Sequence, residues 1–237
     1  MVRGTVEATA AERLARDLVG DGDPIIDELA GWIASSRRFR DFVTGHRDKV
    51  RKKLRSAIDD AARRDVRAEL RVAHLLLADR RLDLGFETYG SGKAGPDFTV
   101  SMRGERAFNL EVTRLQRPPR EATYGGPLLT KLRQLPPSVA NAVLVAIDGD
   151  TAGALDVAGG VRQLRGRADA KDEAFFVARG FRDARAFYER FMRLGAVLVW
   201  SEGATGDARA SVWINPSARI AVPDRAIRAC ANALRAA

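Results

Sequence analysis

Cysteine and histidine are close to absent from this 237-residue chain. Its one cysteine, Cys230, excludes an intramolecular disulfide framework and any multi-cysteine metal centre. Two histidines, His46 and His74, are too few for a histidine-built zinc site. Metal chemistry must then rest on carboxylates, which narrows the ion to magnesium, manganese or calcium. No apolar run approaches the roughly 20 residues a membrane helix needs, so no membrane span is expected. The opening Met1-Val2-Arg3-Gly4-Thr5-Val6-Glu7 leads into a charged helical pattern instead of an apolar leader core, so a cytoplasmic protein is expected. Lysine is scarce as well. Of 40 basic residues only Lys49, Lys52, Lys53, Lys93, Lys131 and Lys171 are lysines, and the other 34 are arginines. Where arginine is the default cation, a retained lysine is informative, because its compact ammonium has a tunable pKa.

What the chain does carry is a globular composition, 46% apolar and 30% charged, with a formal net charge of +9 that favours a polyanionic partner. Residues 7–19 and 24–44 read as helices separated by Gly20-Asp21-Gly22-Asp23-Pro24, and a long helical stretch without Gly or Pro follows from about Asp48 to Arg81. Segment 37–55 holds nine basic and two acidic residues, a local net of +7, and reads either as a phosphate-tracking surface or as a solvated helical face. Phe86–Tyr89, Phe98–Met102 and Phe108–Val112 are short β-prone runs bounded by turns. A short helix from Leu128 to about Leu135 follows, then the apolar strand Ala142–Ile147, as expected of a strand buried on both faces. Residues 154–165 and 172–194 read as helical, Ala196–Trp200 and Ser211–Ile214 as strands, and Pro223–Leu234 as a closing helix. The expected fold is α/β, a mixed central sheet flanked by helices. A basic helical extension over 1–60 precedes an α/β core over 61–237.

Alternation puts Asp97, Thr99 and Ser101 on one face of the second strand, and Asn109, Glu111 and Thr113 on one face of the third. In a hairpin that pairs 97 with 111, the two carboxylates stand opposite each other, with Cβ atoms about 4.5–5.5 Å apart. A one-residue slip would send them to opposite faces, so this register is a sharp expectation. Two like charges that close need a cation or a shared proton. A magnesium ion, which takes one or two carboxylates and completes its shell with water and phosphate oxygens, meets that need.

Gly95-Pro96-Asp97-Phe98 followed by Glu111-Val112-Thr113 resembles the motif of the PD-(D/E)XK nucleases, the restriction-endonuclease-like superfamily. The expected element order from Arg67 to Ile147 is similar to that family's αβββαβ core, and the resemblance spans roughly residues 65–220. It implies a nuclease that hydrolyses phosphodiester bonds, in DNA first and RNA as the alternative, with Asp97 and Glu111 holding magnesium or manganese and the Val112 carbonyl as a further ligand. It also implies that Glu69, on the helix before the first strand, is an outer or second-metal ligand. The segment Trp213-Ile214-Asn215-Pro216-Ser217-Ala218-Arg219 is similar to a closing element of relatives of this kind.

The chain departs from the motif where the family's lysine is expected, two residues after Glu111: the position is Thr113, which carries no charge at neutral pH. Lys131, on the following helix, is the candidate replacement, with Gln134 one turn along to orient substrate or Lys131. Lys93 is the second choice, and Thr113 itself is a candidate water-orienting residue. Without a replacement the protein would be an inactive nuclease fold that binds nucleic acid or a protein partner. Alternatively, the first 60 residues form a partner or homodimer module. Asp97 and Glu111 could also be an ordinary polar hairpin face, Lys131 a solvated lysine, and Glu69 a surface glutamate. His74 reads as packing or surface, Cys230 as core, and Asp148 and Asp150 as turn residues at a strand end.

Overall fold

The computed structural model of the chain describes residues 2–88, 95–115, 125–149, 156–203 and 207–236. They form two compact units, Met1–Arg80 and Arg81–Ala237.

The first unit is helical: α1 (Val2–Val19), α2 (Ile26–Ser35), α3 (Arg37–Gly45), α4 (Arg47–Ser56) and α5 (Asp60–Ala78). Two stretches expected as single helices are each broken, though neither break contains glycine or proline. At the first, the Ser36 hydroxyl accepts from the Phe39 N–H at 3.2 Å. At the second, the Asp59 carboxylate accepts from the Ala62 N–H at 2.7 Å. A capping side chain supplies the partner that a new helix start needs, so the chain can turn without a conformational breaker. Leu18, Leu29, Ile33, Phe39, Val43, Val50 and Leu76 are buried in this unit. His74 stacks on Trp32 and meets the edge of Phe39. Because α5 packs against α3 and α4, the units divide after Arg80, not at the expected residue 60.

Much of the basic 37–55 segment is tied up inside the same unit. Arg47 and Arg51 both bond Asp17, at 2.6 Å each, and the Arg47 hydrogen bond holds the Asp17 carboxyl below its usual pKa. Arg38 donates to the carbonyls of Leu77 and Asp79, and Lys53 pairs with Glu69.

The second unit is a six-stranded mixed sheet. Its strands are β1 (Leu82–Phe86), β2 (Phe98–Met102), β3 (Phe108–Leu115), β4 (Asn141–Asp148), β5 (Leu194–Glu202) and β6 (Ala208–Ile214). They lie side by side in chain order. β1–β2, β2–β3 and β5–β6 are antiparallel, whereas β3–β4 and β4–β5 are parallel. The parallel pairs need helical crossovers. These are α6 (Gly125–Leu132) between β3 and β4, and α7 (Val157–Asp169), α8 (Glu173–Val177) and α9 (Ala184–Phe191) between β4 and β5. α10 (Asp224–Arg235) closes the chain.

β1 begins and ends earlier than the sequence suggests, at Leu82–Phe86 instead of Phe86–Tyr89. Glu87 turns at φ 44, and Tyr89 lies outside the described residues. The stretch expected as one helix over 172–194 is split by Gly180, at φ +78. α6–α9 pack on the sheet face that presents Val143, Val145, Val197 and Val199. Phe176 and Phe187 stack there at 4.7 Å, a pair worth about 1 kcal/mol beyond the area it buries. α10 crosses the opposite face, where the Trp200 indole N–H donates to the Leu234 carbonyl and Cys230 is core. Among the described residues no helix is long and apolar enough to cross a membrane.

Candidate active site

The β2–β3 ladder pairs Val100 with Phe108, Thr99 with Asn109 and Phe98 with Leu110. One step further along this register Asp97 stands opposite Glu111, as the alternation of the two strands requires. Both carboxylates are withdrawn from solvent, Asp97 at 7% exposure and Glu111 at 3%. Glu111 lies beside Val143 of β4, so it points to the sheet face that α6–α9 cover. From the last turn of α6, Lys131 reaches it: Nζ donates to Glu111 Oε1 at 2.5 Å. Two carboxylates brought this close repel, and the ammonium offsets one of them.

The Asp97 side chain is fixed from the third strand, where Oδ2 accepts from the Val112 N–H at 2.9 Å. That bond shows which edge of β3 the Val112 peptide groups use, because the N–H and C=O of one strand residue point to the same side. The next residue in register there is Pro96, which has no N–H to close a ladder bond onto the Val112 carbonyl. The proline of the motif thus ends the β2–β3 ladder beside Asp97. Carboxylate oxygens are the donors that hard ions such as magnesium, manganese and calcium take. Among the described residues no group of three or more His, Cys, Asp or Glu side chains is placed to hold a metal ion.

The remaining candidates separate. Thr113 is half-buried and, two residues on, shares the Glu111 face. Gln134 is not one turn further along a helix. α6 ends at Leu132, and Gln134 sits exposed in the turn that follows, its N–H on the Lys131 carbonyl at 2.9 Å. Glu69 belongs to the helical unit, where Lys53 pairs with it. Asp148 takes a hydrogen bond from Arg114 at 2.5 Å. Lys93 and Asp150 lie outside the described residues.

Sequence reasoning passes over a polar line directly beside the carboxylates. Thr88 and Thr99 share a hydroxyl hydrogen bond of 2.8 Å, and Thr99 donates to Asn109 Oδ1 at 3.4 Å. Asn109 then donates to Asn141 Oδ1 at 3.1 Å. The available signal was an asparagine near the start of each of two neighbouring strands, β3 and β4. In the helical unit a cleft of about 280 Å³ is lined by Asp23, Ile25, Glu28, Arg63, Arg64 and Arg67. Its charges largely answer one another, with Arg67 forked onto Glu28 and Arg63 lying 3.7 Å from Asp23. Neither a family model, a curated protein nor a solved structure matches this chain.

Proposed function

We propose that the protein is a metal-dependent nuclease of the restriction-endonuclease-like kind that hydrolyses phosphodiester bonds, in DNA rather than RNA. The observation that carries this reading is the Lys131 ammonium on Glu111, in the register that sets Asp97 opposite. Thr113 leaves the motif without its lysine, and a cation from the neighbouring helix stands where that charge is wanted. The chain order helix, three strands, helix, strand from α5 to β4 agrees with it.

Asp97, Glu111 and the Val112 carbonyl would hold the ion. Bound magnesium supplies Lewis acidity toward phosphate and a water of lowered pKa. The chain's own groups do the rest. Lys131 would place positive charge beside the phosphate while its ammonium holds Glu111 Oε1. The Val112 N–H fixes the rotamer of Asp97, so that the carboxylate is oriented before substrate arrives. Thr113 offers a hydroxyl on the same face to orient a water.

Cleavage of plasmid and single-stranded substrates with Mg²⁺ or Mn²⁺ tests the proposal. Asp97→Ala and Glu111→Gln should each lower the rate by about 10²–10³-fold, the usual loss when one preorganised electrostatic group is removed. EDTA should stop the reaction. Undiminished cleavage in both variants would remove these residues from the chemistry. A second reading, a nuclease fold that binds without cutting, is favoured by the uncharged Thr113. It expects salt-sensitive binding and no metal-dependent turnover from the unaltered protein.

A further inference from the structure

Several arginines of the sheet unit face a carboxylate. Arg114 meets Asp148, Arg167 meets Asp172, Arg182 meets Asp183 and Arg228 meets Asp224. Four others are arranged differently, around the loops that lead into β4 and β5. Arg133 donates to the Arg179 carbonyl at 3.3 Å and Arg190 to the Arg133 carbonyl at 3.5 Å. Arg193 donates to the Leu135 carbonyl at 3.1 Å. Arg219 is anchored through its own N–H, 2.8 Å from the Met192 carbonyl, and its side chain is exposed. Among the described residues none of the four is in an ion pair. The nearby Glu189 is the partner of Arg185. Carbonyl dipoles position a guanidinium without neutralising it, so positive charge accumulates here instead of cancelling.

The backbone that gathers these groups is tightly built. The buried Asn215 donates to the carbonyls of Phe191 and Leu194 at 3.1 and 2.7 Å and accepts from Ser217 N–H at 3.0 Å. This clamp sets the Pro216–Arg219 turn against the Arg193 loop. A Cβ on Gly195 would come within 2.7 Å of Val222 Cγ2 and 3.2 Å of the Asn141 carbonyl, so the two segments meet at glycine distance. A Cβ on Gly180 would fall 1.9 Å from Arg133 Nη1. Burial, then the charges of Arg190 and Arg219, hold the Arg193 pKa below its ordinary value, against a smaller opposing pull from Glu189. Like-charged groups gathered on an exposed edge attract anions.

We propose that Arg190, Arg193 and Arg219, flanked by Arg133, form a phosphate-binding edge for the backbone of a nucleic-acid strand. The naming of nucleic acid as the polyanion rests on the nuclease reading; the anion site rests on the geometry alone. Arg133 and Arg219 are exposed, so the edge is open to a strand running past, as against an enclosed small molecule.

The test is fluorescence anisotropy of labelled duplex and single-stranded oligonucleotides with the full chain in EDTA, across a salt series. Arg190→Gln combined with Arg219→Gln should weaken binding roughly tenfold and reduce the slope of log K against log salt by about 1.8, for two lost phosphate contacts. Arg182→Gln combined with Arg185→Gln removes the same charge from cations already paired, and should change neither. Lysine at 190 and 219 should keep most of the salt slope. Equal loss in both glutamine pairs, or none in the first, overturns the inference. The nuclease reading is judged separately by Asp97→Ala, which should abolish cleavage and leave anisotropy binding in place. Loss of the arginine effect with Asp97-dependent cleavage intact defeats only the edge. Cleavage that ignores Asp97 defeats only the nuclease.

Discussion

Lys131→Met should lower metal-dependent cleavage by about 10²–10³-fold, and Thr113→Lys in the same chain should recover much of that loss. Lys131 delivers its charge from α6 onto Glu111, while a lysine at 113 would deliver it from β3 onto the same face. Substitution at 131 also strips a partner from a carboxylate that is 3% exposed. Weakening the pairing of a buried charge is destabilising, so a melting curve must accompany the rates. Glu111→Gln with Lys131→Met removes both charges and should regain stability without regaining activity. If Lys131→Met cuts as fast as the unaltered protein, the ammonium is a structural tie and its place in the chemistry is lost. Rescue by Thr113→Lys would show instead that the charge matters more than the element carrying it.

How far the sequence could reach depended on whether the information was local. The β2–β3 register was readable, because two alternating runs and one turn around Gly104, which takes φ +83, leave little freedom. β4 and β5 announced themselves as unbroken apolar runs. The helical breaks at Ser36 and Asp59 were hidden, because a capping side chain interrupts a helix without the signature of glycine or proline. β1 was hidden because Leu82 and Leu84 follow an amphipathic helix and continue its apolar count until Phe86. The basic segment looked freer than it is because Asp17, which takes Arg47 and Arg51, lies about 30 residues away in the chain. The same limit hid Asn141: its value lies in the carbonyls it meets, and one of them, that of Arg193, lies 52 residues away in the chain.

Asn141→Ala should destabilise the sheet unit by about 3 kcal/mol, which for a unit of this size is a fall of roughly 6–12 °C in midpoint. The side chain is fully buried. Its amide donates to the carbonyls of Val139, Pro136 and Arg193 at 2.8, 2.9 and 3.0 Å, and its oxygen accepts from Asn109. Alanine leaves several buried polar groups without a partner and water has no route to replace it, which is the costly side of hydrogen-bond deletion. Asn141→Asp should be at least as damaging, because it keeps the shape while setting a negative charge against carbonyl oxygens. The residue ties the turn after α6 to the loop before β5. The loss should therefore also loosen Arg193 and, through Asn109, the strand that carries Glu111. Trp200 and Trp213 lie in this unit, so a thermal melt followed by tryptophan emission reads the loss. A midpoint within about 2 °C of the unaltered chain would mean that these contacts contribute little.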